Sequence, residues 1–148
     1  MPTLRSRRRR AREARPSPYS PSWEPRAAQY GTGIHHNVAV PMSDGVELRV
    51  DIHYPTEPGT DRPAAGPFPV LMSMTPYGKK APPPAAQIGG GPTPYLIKRG
   101  YIEVMVDVRG CGVSGGSFEM FGARQAQDGV ELVDWASKLP NANGRVGM

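Results

Sequence analysis

The sequence predicts an α/β fold in which an antiparallel hairpin leads into a parallel sheet. Three observations predict it. Residues 46–54 alternate between apolar and polar side chains, whereas residues 69–74 and 101–108 are nearly continuous in apolar ones. Between those two runs lies a short helical stretch that stops at Gly100. Alternation marks a strand with one wet face, and a continuous apolar run marks a strand buried on both faces of a parallel sheet.

Each element follows from its residues. Order is expected to begin near residue 34. His35 to Val40 leads to Ser43-Asp44-Gly45, a turn signal. Val46, Leu48, Val50, Ile52 and Tyr54 then form the apolar face of the second hairpin strand. Pro55 to Pro67 is a connector rich in Pro and Gly. Pro69 to Met74 is the first buried strand, followed by a loop over 79–92 and a helix over 94–99. Gly100 is placed as its C-terminal stop. Tyr101 to Val108 is the second buried strand. Ala123 to Leu139 reads as a helix with Ala126, Val130, Val133 and Ala136 on one stripe, closed by Pro140. Asn143-Gly144 reads as a turn, and Arg145 to Met148 as the first residues of a new buried strand.

Composition narrows the function. Of the 148 residues, Gly and Pro supply 18 each, and Leu, Ile, Val and Phe together supply only 26. That apolar share lies below the level of about a fifth that a packed core needs. With a strand starting as the chain stops, this points to a fragment of a larger domain. The net charge of +5 belongs to a tail: residues 1–26 hold eight Arg against two Glu, and the remainder holds ten basic against eleven acidic residues. The Arg run over 5–15 and the four prolines over 16–25 cannot bury a core, so residues 1–33 are expected to be disordered. Such an arm could bind nucleic acid or another acidic partner through counterion release, which leaves a non-catalytic binding protein as the alternative reading. A folded nucleic-acid-binding domain, however, would carry the charge itself. No apolar segment follows the Arg run as an export signal requires, and no run approaches a membrane span of about 20 residues. A cytoplasmic location is the resulting expectation.

Candidate chemistry is sparse. Gly112-Val113-Ser114-Gly115-Gly116 is a literal G-x-S-x-G. A nucleophile elbow, however, needs a strand running into the serine and a helix leaving it. Arg109 to Cys111 separate Ser114 from the strand, and no helix start follows, so Ser114 reads as a loop residue. An active small esterase built on Ser114 is the rival. The histidines, His35, His36 and His53, lie on the hairpin rather than at the mouth of the sheet, and each reads as a surface residue. His35 and His36 point to opposite faces as strand neighbours, so they make no metal pair. Cys111 is a loop residue, and one cysteine excludes a disulfide framework within the chain. Gly89-Gly90-Gly91 lacks the Lys-Ser/Thr ending of a phosphate loop. No cofactor or metal is indicated. Asp107 and Arg109 close the second buried strand, where such a charged pair fixes a loop; a supporting role follows.

Taken in order, several segments resemble a known group: Met42 to Leu48 with Asp51-Ile52, Pro67 to Leu71, Thr75-Pro76-Tyr77-Gly78-Lys79, and Arg99-Gly100-Tyr101. Asp107 to Phe118, Asp128-Gly129 with Asp134-Trp135, and Asn143 to Met148 continue the series. Over roughly residues 35–148 the chain is similar to the catalytic domain of the X-Pro dipeptidyl-peptidase-like hydrolases, the CocE/NonD group with cocaine esterase and the α-amino acid ester hydrolases. The resemblance implies that residues 34–148 are the N-terminal portion of an α/β-hydrolase fold. It also implies a serine hydrolase cleaving a small-molecule ester or amide through an acyl-enzyme. Arg145 to Met148 is similar to the strand that enters the family's nucleophile elbow, so the resemblance places serine, acid and histidine beyond Met148. This chain alone is then expected to be inactive. Tyr77 matches the family tyrosine whose hydroxyl serves the oxyanion hole.

Overall fold

A computed structural model describes residues 24–80 and 92–148. Five strands form one mixed sheet: β1 (Gly31–Pro41), β2 (Glu47–Thr56), β3 (Phe68–Thr75), β4 (Ile102–Asp107) and β5 (Ala142–Gly147). Among the described residues two helices accompany them, α1 (Pro94–Ile97) and α2 (Ala123–Ser137). The sheet order is β1-β2-β4-β3-β5. β1 and β2 form the expected antiparallel hairpin, and β2 also pairs antiparallel with β4. β3 pairs parallel with β4 on one side and with β5 on the other. The two nearly continuous apolar runs are therefore interior strands, and all six residues of β4 are buried.

The core lies on the face that α2 covers. Leu48, Val50 and Ile52 of β2 meet Val104 and Val106 of β4, Val70 and Met72 of β3, and Leu132 and Ala136 of α2. Gly100 adopts φ +87 just beyond α1, the left-handed conformation its role as a stop requires. Among the described residues no helix is long and apolar enough to cross a membrane. The Arg-rich segment and Gly89-Gly90-Gly91 lie outside the described residues.

Four features depart from the sequence expectations. β1 begins at Gly31, inside the segment expected to be tail, and residues just before it are tied down. The Gln29 and Tyr30 amides donate to the Lys98 carbonyl, and the Tyr30 ring meets Phe68 edge-on at 5.3 Å. The polar face of β2 is only partly wet: Glu47 stays exposed and His53 is half-buried, but Asp51 is buried, because Lys79 and the β1 turn at Asn37 close over it. The expected stripe on α2 is divided. Asp128, Leu132 and Ala136 face inward, while Val130 is 65% exposed, because Arg109 anchors Asp128 against the sheet and fixes the rotation of the helix. Finally, Asn143-Gly144 is a bulge within β5 rather than a turn ahead of it. The pairing of β5 with β3 shifts between Phe68 and Val70, and β5 is an exposed edge strand instead of a buried one.

Candidate active site

The chain leaves β3 into a short loop that presents Tyr77. The Tyr77 amide donates to Thr75 Oγ1 at 3.1 Å, and Thr75 is itself buried at the end of the strand. Gly78 follows at φ +85, a conformation that would strain any L side chain. The Lys79 amide then donates to Asp107 Oδ1 at 2.6 Å. The loop is thus fastened on both sides of Tyr77, which itself stays 61% exposed. The ring stands at the rim of an open apolar hollow of about 1080 Å³, lined among others by Met74, Val108, Phe118, Phe121 and Val130.

Asp107, which ends β4, joins this loop to the next. Its carboxylate accepts from the Lys79 amide, from Lys79 Nζ at 3.0 Å and from the Val113 amide at 3.1 Å. A Cβ at Gly112 would collide with that carboxylate, so glycine is needed where the second loop folds over Asp107. Arg109 works elsewhere. Its guanidinium grips Asp128 on α2 and reaches Asp44 in the hairpin turn at 2.9 Å. The hydrogen bonds to Asp128, with further help from Asp44, raise the Arg109 pKa well above its ordinary value against the opposing effect of burial. Asp107 therefore anchors the loop that carries Tyr77 by holding Lys79, whereas Arg109 fixes α2 and the hairpin.

The other candidates are committed to structure. Ser114 Oγ donates to the Asp107 carbonyl at 2.6 Å and accepts the Arg49 amide at 2.8 Å. It lies in the loop between β4 and α2, with neither a strand running into it nor a helix leaving it. Burial, with the Asp107 charge, pushes the Cys111 thiol up, the opposite of an activated nucleophile. The His35 ring stacks on Tyr54, His36 Nδ1 lies 3.1 Å from Asp51 Oδ2, and burial lowers the pKa of His53. Among the described residues no group of three or more His, Cys, Asp or Glu side chains is placed to hold a metal ion. Sequence reasoning did not single out Asp51 or Asn37 for the site. A polar residue on an alternating strand carries no sign of what will cover it, so burial of Asp51 emerges only with the loop over it.

Comparison with known proteins decides the family. The family described as X-Pro dipeptidyl-peptidase (S15 family) matches residues 44–148. The chain belongs to this S15 family. Relatives agree: cocaine esterase of a Rhodococcus species is 34% identical over 117 residues, covering 78% of this chain and 18% of the relative. A CocE/NonD family hydrolase from Staphylococcus aureus superposes with a TM-score of 0.64 at 29% identity, over 77% of this chain and 22% of that one. An α-amino acid ester hydrolase gives 0.58 at 26% identity, over 89% and 24%. The sheet is the N-terminal portion of the α/β-hydrolase fold these neighbours share. The chain spans about a fifth of the length of the curated relatives it matches.

Proposed function

We propose that this S15 chain forms the N-terminal part of the catalytic domain of a serine hydrolase that cleaves a small-molecule ester or amide through an acyl-enzyme. Tyr77 supplies one oxyanion-hole donor, and the nucleophile, its acid and its histidine come from sequence outside these 148 residues. One observation carries the reading: Tyr77 lies just beyond an interior parallel strand, its amide is held by Thr75, its loop neighbour Lys79 is held by Asp107, and Tyr77 itself stays exposed. In α/β-hydrolases the loop at this place contributes a donor to the oxyanion, and the residue after the nucleophile contributes the other. A phenol on a rigid ring gives that donor a fixed reach. The tetrahedral intermediate carries negative charge on the former carbonyl oxygen, and a pre-aimed donor stabilises it more than the ground-state carbonyl.

The open apolar face supports the same reading. Phe121 is 94% exposed, Met120 69% and Val130 65%, and all three line the hollow beside Tyr77. A soluble domain rarely leaves such large side chains contiguous and uncovered. In the complete hydrolase, further elements of the catalytic domain cover part of this face and leave the remainder to the substrate.

The test joins residues 1–148 to the part of the Rhodococcus cocaine esterase that follows its matching segment. The 148-residue chain alone is expected to show no acyl-enzyme burst with an activated ester and no labelling by a serine-directed phosphonate. The joined hydrolase is expected to show both. Labelling of Ser114 in the short chain, or a folded joined protein without turnover, would overturn the proposal.

A further inference from the structure

Strand β1 departs from regular pairing at one place. Its register with β2 shifts between His35 and Val38, and Asn37 adopts φ +55. Asn is among the few side chains that tolerate this conformation, and β-bulges commonly re-aim side chains next to active sites. Here the irregularity brings two groups of one residue onto a buried charge cluster. The Asn37 amide donates to Asp51 Oδ1 at 2.8 Å, and Asn37 Oδ1 accepts from Lys79 Nζ at 2.8 Å.

Lys79 is the centre of that cluster. Its side chain is 1% exposed, with Asp107 Oδ2 at 3.0 Å and Asp51 Oδ1 at 3.7 Å. Burying an ammonium costs several kcal/mol unless charges and hydrogen bonds compensate. Here two carboxylates and the Asn37 carbonyl surround it. The main chain and the side chain of Lys79 both end on Asp107, and only Gly78 separates Lys79 from Tyr77. Gly78 has no side chain with which to hold its own place. The position of Tyr77 therefore depends on how firmly Lys79 is held.

We propose that Asn37 and Lys79 are positioning residues for the Tyr77 hydroxyl: the β1 bulge holds the Lys79 ammonium, and Lys79 holds the loop that aims the tyrosine. This rests on the reading of Tyr77 as an oxyanion donor. A cluster that merely stabilised the fold would alter the melting temperature without acting through Tyr77. Misplacing a catalytic group by about 1 Å costs roughly a hundredfold in rate, so a modest slackening of the loop is measurable.

The test is a double-mutant cycle in the joined hydrolase, with Asn37→Gly and Lys79→Met each made with and without Tyr77→Phe. Asn37→Gly keeps a residue suited to the positive φ and removes only the acceptor for Lys79, so it spares folding. It is expected to lower kcat about tenfold with KM little changed, and to cause no further loss once Tyr77→Phe is present. Lys79→Met is expected to act in the same direction and more strongly. In the 148-residue chain, Asn37→Gly is expected to speed hydrogen exchange at the Lys79 amide while the β3–β4 ladder keeps its protection. Undiminished kcat in Asn37→Gly, or an equal loss in both backgrounds, would overturn the proposal. Undiminished kcat in Tyr77→Phe alone would instead overturn the oxyanion reading, and exchange at Lys79 would still report whether Asn37 holds the loop.

Discussion

Arg109 grips Asp128 with two parallel hydrogen bonds, Nε to Oδ2 at 2.8 Å and Nη2 to Oδ1 at 2.7 Å, and the Asp128 side chain is wholly buried. This pair connects the residue two past β4 to the second turn of α2. It fixes which face of the helix meets the sheet. Removing Arg109 leaves the buried Asp128 carboxylate with the part-exposed Arg124 alone, whose Nη2 lies 3.0 Å from Oδ1. Arg109→Ala is therefore expected to destabilise the protein by about 1.5–3 kcal/mol in urea unfolding. A loss under about 1 kcal/mol would show that α2 docks without the help of Arg109.

Ser114 bridges the Arg49 amide and the Asp107 carbonyl. Ser114→Ala leaves both part-buried groups short of a partner, a loss of about 1–3 kcal/mol of stability. In the joined hydrolase the same substitution is expected to retain most ester turnover. Abolished turnover in a folded Ser114→Ala variant would make Ser114 the nucleophile instead.

Glu131 supplies a pH dependence. Hydrogen bonds from the Ser43 hydroxyl and amide, helped by Gln127 and the Arg124 charge, pull its carboxyl down from 4.5 to about 2. A depressed carboxylate pKa stabilises the fold above its unfolded value, and that contribution is lost as pH falls through the folded value. Glu131→Gln is therefore expected to show a smaller drop in melting temperature between pH 5 and pH 2 than the unaltered protein. Identical pH profiles would contradict the Ser43–Glu131 link.

Phe121 is 94% exposed and sits at φ +57, doubly unfavourable for a large aromatic. Phe121→Asn suits that conformation and removes apolar surface. The variant is expected to bind less of a hydrophobic reporter dye and to melt no lower than the parent. A lower melting temperature would mean that the ring packs in solution.

The sheet was legible where one physical signal dominated. Alternation over Val46 to Tyr54 marked β2, and unbroken apolar runs marked β3 and β4 as interior strands. Gly100 marked the end of α1 through its positive φ. The site was legible only in part. Tyr77 was singled out only through the family resemblance, and Asp107 as a supporting residue at a strand end; the link between their loops runs through Lys79, whose partners lie on three separate strands or loops. Asp51 looked like a solvent-facing residue, because alternation reports which side chains share a face and not what covers that face. The stripe on α2 misled for a related reason: periodicity found the apolar residues, yet the Arg109–Asp128 pair set the rotation.

The role of Tyr77 is tested most directly by kcat and KM of Tyr77→Phe in the joined hydrolase. Phenylalanine keeps the ring at the rim of the hollow and removes only the hydroxyl. Loss of one oxyanion donor is expected to lower kcat by about 10²–10³ while KM changes little. A kcat within a few fold of the unaltered enzyme would contradict the assignment and leave Tyr77 an exposed aromatic at a loop rim.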